Sequence, residues 1–170
     1  MMELTKAKIQ AYAALYDEKT SARDKVVERT MKKTLTNQRF LTKRQLVRIG
    51  DWKSRRQKKH YRNNDKEAVE ELTAFSLSAK TELARVGPLL ALNGVSFPVA
   101  SAILHFAFPD RYPILDFRVL WSLGWKQPKS YTFKFWIRYC SRIRRIAQRF
   151  NLPLRTVEKA LWQYSRYHQS

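Results

Sequence analysis

The 170-residue chain has one cysteine, Cys140, and only four glycines. A single cysteine excludes an internal disulfide framework, a zinc site built from cysteines and a four-cysteine iron–sulfur cluster. It fits the reducing cytosol, and we expect a cytoplasmic location. Four glycines and six prolines argue against a sheet-rich fold, whose many turns need more of both. The composition therefore favours an all-α protein.

A long apolar run is also lacking. The longest apolar stretch, Val99–Phe108, is too short and too interrupted by polar residues to span a bilayer. The first ten residues contain charges and no apolar run, which is not the pattern of a signal peptide. We therefore expect no membrane-spanning segment.

Negative charge is scarce, because 14 Asp and Glu face 34 Lys and Arg, giving a formal net charge of +20. Such an excess is typical of a protein with a polyanionic partner. Aromatic residues are interleaved with the basic ones, which favours nucleic acid over lipid because bases stack on aromatic rings. The alternatives are a very soluble basic surface without such a partner, or a membrane-binding surface.

Hydrophobic periodicity predicts eight to ten helices. Residues 1–64 form a predicted basic helical segment that packs on a helical core, 65–170, as one compact structural unit. Gly87 and Pro88 are expected to break or kink one helix. The predicted helices cover Leu4–Tyr16, Val26–Thr36, Lys43–Trp52, Lys66–Ala79, Thr81–Leu92, Val99–Phe108, Phe117–Leu123, Ser130–Phe150 and a last one opened by Asn151 and Pro153.

The core contains a predicted helical hairpin at 89–108, whose turn holds Gly94. A glycine suits the positive φ that a tight turn usually needs. Backbone N–H groups of Gly94, Val95 and Ser96, at the start of the next helix, would form an anion site suited to a DNA phosphate. The alternative is an ordinary turn between two helices.

Asp116 stands alone downstream of this turn, since no other acid follows it until Glu158. Cleavage of an N-glycosidic bond passes through an oxocarbenium-like sugar, and a nearby carboxylate can stabilise that positive charge or help water to attack it. The alternative role for Asp116 is the N-cap of the helix that follows. The two roles are compatible, because capping would hold the carboxylate rigidly.

The segment from Lys80 to Gly124 resembles the helix-hairpin-helix DNA glycosylase superfamily, the class of endonuclease III and the adenine-specific mismatch glycosylase. The hairpin of that family reads Leu-Pro-Gly-Val-Gly, then a variable pair, then Ala and a long apolar helix. Its catalytic aspartate falls at the same distance from the hairpin as Asp116 here. The hairpin residues that match are Leu92, Gly94, Val95 and Ala100.

The resemblance implies a glycosylase-like helical bundle that binds double-stranded DNA and hydrolyses the base–sugar bond of a flipped damaged or modified base. Asp116 would be its catalytic residue, and a monovalent cation at the hairpin its only cofactor. Asn93 and Ser96 depart from the family pattern. Pro98 stands where bifunctional members carry a lysine nucleophile, so the resemblance implies a monofunctional enzyme. A bacterial member would be associated with the nucleoid.

Further basic and aromatic residues are candidates for the same surface. Trp52 ends a helix just before a basic turn, where it would either contact DNA or, as we favour, pack in the core. The candidate phosphate contacts are Lys53, Arg55, Arg118 and an arginine stripe at helical spacing, Arg138, Arg142, Arg145 and Arg149. The candidate residues of a base pocket are His105, Tyr112, Trp121 and Trp125, although packing in the core is the alternative that we favour for any single one of them. The three histidines show no metal-ligand spacing, and no metal site is predicted.

Two other functions fit the same sequence. A non-catalytic DNA-binding protein that keeps the glycosylase fold would explain the departures at Ser96 and Pro98. An RNA-binding or defence-associated module driven by charge alone would need no particular role for the hairpin.

Overall fold

A computed structural model describes residues 1–169, and within them the chain forms ten α-helices, a short 3-10 turn at Arg55–Gln57 and no strand. The all-α prediction is confirmed. In chain order the helices are α1 Lys6–Lys19, α2 Ala22–Asn37, α3 Lys43–Lys53, α4 Lys58–Arg62, α5 Lys66–Ser78, α6 Glu82–Leu90, α7 Phe97–Ala107, α8 Phe117–Ser122, α9 Phe133–Phe150 and α10 Leu154–His168.

Short polar side chains start most of these helices. Thr42 caps α3 in a capping box, in which its hydroxyl accepts the Gln45 N–H while the Gln45 side chain accepts the Thr42 N–H. Asp65 caps α5 through its side-chain oxygen, which accepts the Ala68 N–H at 3.0 Å. Each cap satisfies an N–H group that has no partner inside its own helix. The predicted helix starts at Thr42 and Asp116 are confirmed.

Of the predicted break or kink at Gly87 and Pro88, the break does not occur, because α6 runs through both residues from Glu82 to Leu90. The helix has only nine residues, so Pro88 falls near its end and removes a single backbone hydrogen bond.

The chain divides into two units, and the boundaries fall after Thr20 and after Phe108 rather than after residue 64. The middle unit is the continuous segment Ser21–Phe108, with α2 to α7. Its most buried element is α7, in which nine of eleven residues are buried. A helix that is apolar on all sides belongs in a core, and α7 packs against α2, α3 and α6.

The terminal unit combines Met1–Thr20 with Pro109–Ser170 and contains α1, α8, α9 and α10. Within it α10 is the central helix, since it packs against all three others. The fully buried side chains Trp136 and Tyr139 of α9 and Leu161 of α10 lie in its core.

Candidate nucleic-acid interface and the Asp116 site

The turn between α6 and α7 has the backbone conformation that its glycine predicts. Gly94 has φ +82°, in the left-handed region. The Val95 N–H donates to the Leu92 carbonyl at 3.1 Å, which closes the turn. Among the described residues, neither the Gly94 nor the Ser96 N–H donates to a backbone carbonyl. Two of the three N–H groups that were predicted to bind an anion, those of Gly94 and Ser96, are therefore not used in the backbone hydrogen bonding of the turn.

The Tyr61 side chain of α4 packs against this turn. Its ring is fully buried, and a Cβ atom at either Gly50 or Gly94 would lie less than 3.0 Å from ring atoms on its two opposite edges. The Tyr61 hydroxyl donates to the Ser54 carbonyl at 3.2 Å. Burial raises the pKa of this hydroxyl above its ordinary value. The ring is thus held between two glycines, one in α3 and one in the turn.

Asn64 fixes the first residue of the turn with a two-way hydrogen bond. Its Oδ1 accepts the Asn93 N–H at 2.7 Å, and its Nδ2 donates to the Asn93 carbonyl at 3.0 Å. The same Nδ2 lies 3.0 Å from the Tyr61 carbonyl. Asn64 is 5% exposed, so these bonds are shielded from water. The sequence did not predict this role of Asn64, because its partner Asn93 lies 29 residues away.

The side chains around the turn limit what can bind there. Val95 is buried, so only its backbone can face a ligand, whereas Ser96 is exposed and caps α7 without a side-chain hydrogen bond. The Leu92 and Asn93 carbonyls already accept hydrogen bonds, so a cation at the hairpin would have to share them.

The basic turn after α3 is organised around one carboxylate. Asp51 pairs with Arg23 at 3.1 Å and with Arg55 and Lys58 at 3.7 Å. Part of the charge of Arg55 is therefore compensated within the protein. Trp52 is half-buried and packs 5.4 Å from the Phe106 ring, as the core interpretation predicts. Lys53, the last residue of α3, is also half-buried.

Asp116 lies in the terminal unit, where it is the N-cap of α8. Its Oδ1 accepts the Arg118 N–H at 3.0 Å, and its side chain is partly exposed. The Arg118 guanidinium lies 5.1 Å from the Phe117 ring and 5.6 Å from the Trp162 ring. Capping fixes the Asp116 carboxylate on a rigid element without burying it.

The segment that leads to Asp116 is held by two buried side chains, those of Glu158 and Tyr139. The Ile114 N–H donates to the Glu158 carboxylate of α10, and the Tyr139 hydroxyl of α9 donates to the Ile114 carbonyl at 2.6 Å. Arg155 pairs with Glu158 at 3.4 Å. Burial, helped by the charge of Glu158, raises the pKa of Tyr139 well above its ordinary value. Both backbone groups of a residue two positions before Asp116 are thus fixed by different helices.

The predicted arginine stripe faces outward on α9. Arg138, Arg145 and Arg149 are exposed and Arg142 is partly exposed, while the opposite face buries Trp136, Cys140 and Ile143. The stripe covers about 17 Å of helix from Arg138 to Arg149 at roughly 1.5 Å per residue.

The four predicted base-pocket residues do not behave alike. Tyr112 is fully buried and stacked 6.1 Å from the Trp136 ring, and His105 is 5% exposed. Neither offers a ring face to a base, because both are core residues, so this part of the prediction is corrected. Trp121 and Trp125 are partly exposed. Trp121 packs against Tyr164, with ring centroids 6.1 Å apart.

Tyr131, which sequence analysis passed over, lies close enough to Asp116 to sense its charge. Partial burial raises the pKa of the Tyr131 hydroxyl, and the Asp116 carboxylate raises it further. Nothing in the local sequence indicated this, because fourteen residues of helix and loop lie between the two positions.

No helix within residues 1–169 has the length and apolar content needed to cross a membrane. Comparison with family models, with curated proteins and with solved structures finds no match to this chain.

Proposed function

We propose that this chain binds double-stranded DNA and hydrolyses the N-glycosidic bond of one flipped, damaged or modified base, with Asp116 as the catalytic residue. The proposal joins the resemblance of residues 80–124 to the helix-hairpin-helix glycosylases with the local geometry of the two units. It describes a monofunctional enzyme, because Pro98 cannot act as a lysine nucleophile.

DNA binding is supported by charge and by the hairpin. A formal net charge of +20 attracts a polyanion, and the exposed face of α9 arranges arginines in one line. At the hairpin, the Gly94 and Ser96 N–H groups have no backbone acceptor among residues 1–169, which suits them to a phosphate oxygen. Such contacts position a protein on DNA without reading its sequence.

The observation that carries the catalytic part is the way Asp116 is held. Its carboxylate is partly exposed, capped onto α8 through the Arg118 N–H, and preceded by a residue whose two backbone groups are fixed by Glu158 and Tyr139. A carboxylate that does not move can stabilise charge without reorganising during the reaction.

The chemistry follows from that carboxylate. The C1′–N bond breaks and its electron pair leaves with the base, while positive charge develops on the sugar ring next to Asp116. Water adds to C1′, and its proton ends, through Asp116 or solvent, on the departing base. The products are the free base and an abasic site, and no lysine adduct forms.

A non-catalytic DNA-binding protein is the second candidate, and the capping bond itself favours it. An aspartate that accepts the Arg118 N–H has a structural reason to be present whether or not chemistry occurs.

Asp116→Asn separates the two candidates, because asparagine caps a helix about as well as aspartate but carries no charge. The measurement is base release from a panel of duplexes, each with one damaged or modified base, developed with alkali. We expect the variant to melt normally, to bind DNA and to lose base release by roughly a hundredfold or more. Asp65→Asn, which changes another capping aspartate, is the matched control and should keep full activity.

Two outcomes contradict the catalytic assignment. Equal base release by wild type and Asp116→Asn would reduce Asp116 to a cap. A wild-type protein that binds duplex DNA but releases no base from any member of the panel would establish the non-catalytic function instead.

A further inference from the structure

Three aromatic side chains form a partly exposed surface at the start of α9. Phe135 lies at its centre, with its ring centroid 5.8 Å from that of Trp125 and 5.5 Å from that of Tyr131. All three side chains are partly exposed, in contrast to the fully buried Trp136 that follows Phe135. We call Trp125, Tyr131 and Phe135 the aromatic platform.

The aromatic platform continues the arginine stripe. Phe135 precedes Arg138 by three residues, so the two lie on one face of α9. The Arg138 guanidinium lies 4.6 Å from the Trp125 ring centroid, which joins the first arginine of the stripe to the platform. A strand whose phosphates follow the stripe would therefore bring a base to these rings.

The same surface belongs to the unit that holds the catalytic candidate. The Asp116 carboxylate influences the Tyr131 hydroxyl electrostatically, and both residues belong to the terminal unit. Aromatic rings, a guanidinium and a nearby carboxylate on a strongly basic chain match the chemistry of a nucleotide: rings for the base, cations for the phosphate.

We infer that the aromatic platform binds an unpaired nucleobase by stacking, so that the preferred ligand is DNA with a base outside the helix. A paired base cannot stack here, because its two faces are covered by its neighbours in the duplex. Stacking tolerates any base, so the platform selects unpaired over paired and not one base over another. The inference rests on the DNA binding of the proposed function but not on bond cleavage.

The test compares two labelled duplexes of the same sequence, one fully paired and one with a single bulged nucleotide, by fluorescence anisotropy. We expect wild type to prefer the bulged duplex. Tyr131→Leu and Phe135→Leu should each weaken binding to the bulged duplex by roughly five- to a hundredfold and leave binding to the paired duplex unchanged. Tyr131→Phe keeps the ring and should keep the preference.

Tyr167→Leu is the matched control, because Tyr167 is 54% exposed on α10 and is not part of the platform. Thermal melting identifies any variant that fails to fold. If a variant is lost in this way, the comparison of Tyr131→Phe with Tyr131→Leu tests the inference by itself. The inference is overturned if wild type binds the two duplexes equally, or if the leucine variants keep the preference. Absence of binding to either duplex would instead remove the proposed DNA binding and the inference with it.

Discussion

At the scale of the residue, the hairpin turn depends on side chains from another part of the chain. Tyr61 fills the space under Gly94, and Asn64 pairs with both backbone groups of Asn93. The conformation of the turn is therefore fixed before any ligand binds. A preformed turn binds with less loss of conformational entropy than one that must be ordered on contact.

The two glycines that enclose Tyr61 predict different responses to alanine. Both Gly50→Ala and Gly94→Ala should lower the free energy of unfolding, by about 1–3 kcal/mol, because a new methyl group meets the Tyr61 ring. Gly94→Ala carries an additional cost, since its φ of +82° is strained for any residue with a Cβ.

Urea denaturation in a Tyr61→Leu background separates these two causes. The cost of Gly50→Ala should shrink there, because the ring is gone, whereas Gly94→Ala should keep the part that comes from its backbone. If Gly94→Ala retained no more cost than Gly50→Ala in this background, the positive φ at Gly94 would cost nothing.

At the scale of the element, helices α9 and α10 act together on the loop before α8. Tyr139 and Glu158 project from them onto the same residue, Ile114, one to its carbonyl and one to its N–H. Neither side chain touches solvent appreciably, since both are at most 1% exposed. The position of α8 is consequently set by two helices rather than by its own six residues.

This arrangement predicts an alkaline loss of stability. The pKa of Tyr139 is raised in the folded state, so its contribution is fully present below the unfolded pKa of about 10 and is lost as pH rises toward the folded value. Tyr139→Phe should be less stable than wild type near neutral pH, by about 1–3 kcal/mol, because the buried Ile114 carbonyl loses its donor.

The stability of Tyr139→Phe should, however, fall less steeply with pH than that of wild type. Unfolding midpoints in urea between about pH 7 and 10.5 measure this difference. Tyr167→Phe, at an exposed position, serves as the control and should follow the wild-type curve. Parallel curves for wild type and Tyr139→Phe would contradict the assigned cause.

Helix starts were predictable and these tertiary contacts were not, for one physical reason. A cap such as Thr42 or Asp116 acts on an N–H two or three residues away, so its signal is local in the sequence. The partners of Ile114 and Asn93 lie up to 44 and 29 residues away. Only folding brings these residues together, so no local sequence pattern predicts that Asn64 and Glu158 are buried hydrogen-bond partners.

The candidate site was predicted in the same uneven way. The positive φ of Gly94 and the cap at Asp116 followed from residue type and spacing. Tyr112 and His105 are core residues rather than base-pocket residues, and residue type alone could not decide between the two roles, because burial depends on which helices pack around them.

At the scale of the whole molecule, charge is distributed unevenly. Five of the 14 acidic residues lie from Asp65 to Glu82, at the N-cap of α5 and within α5 and α6, whereas the outer face of α9 carries arginines. A binding mode driven by total charge would be insensitive to this pattern. Binding through the arginine stripe would depend on this uneven distribution of charge.

Charge reversal at two places tests that dependence. Arg142→Glu with Arg145→Glu, and Lys66→Glu with Lys80→Glu, change the net charge equally. We expect the first pair to weaken binding to all duplex sequences alike and to reduce the slope of log K against log salt by roughly 0.9 per lost phosphate contact. The second pair should change both quantities much less, as measured between about 50 and 200 mM salt. Equal effects would favour binding by total charge.

During synthesis of the chain, the two units become complete at different times. The middle unit is one continuous segment, whereas α1 packs against α10, the first helix against the last. At roughly 5–20 residues per second, α1 leaves the ribosome many seconds before α10 is synthesised. A 14-residue helix is marginal in water by itself, so α1 waits largely unfolded until its partner appears. The middle unit can thus carry a finished hairpin on the nascent chain while Asp116 still lacks Glu158, whose arrival completes the hold on Ile114.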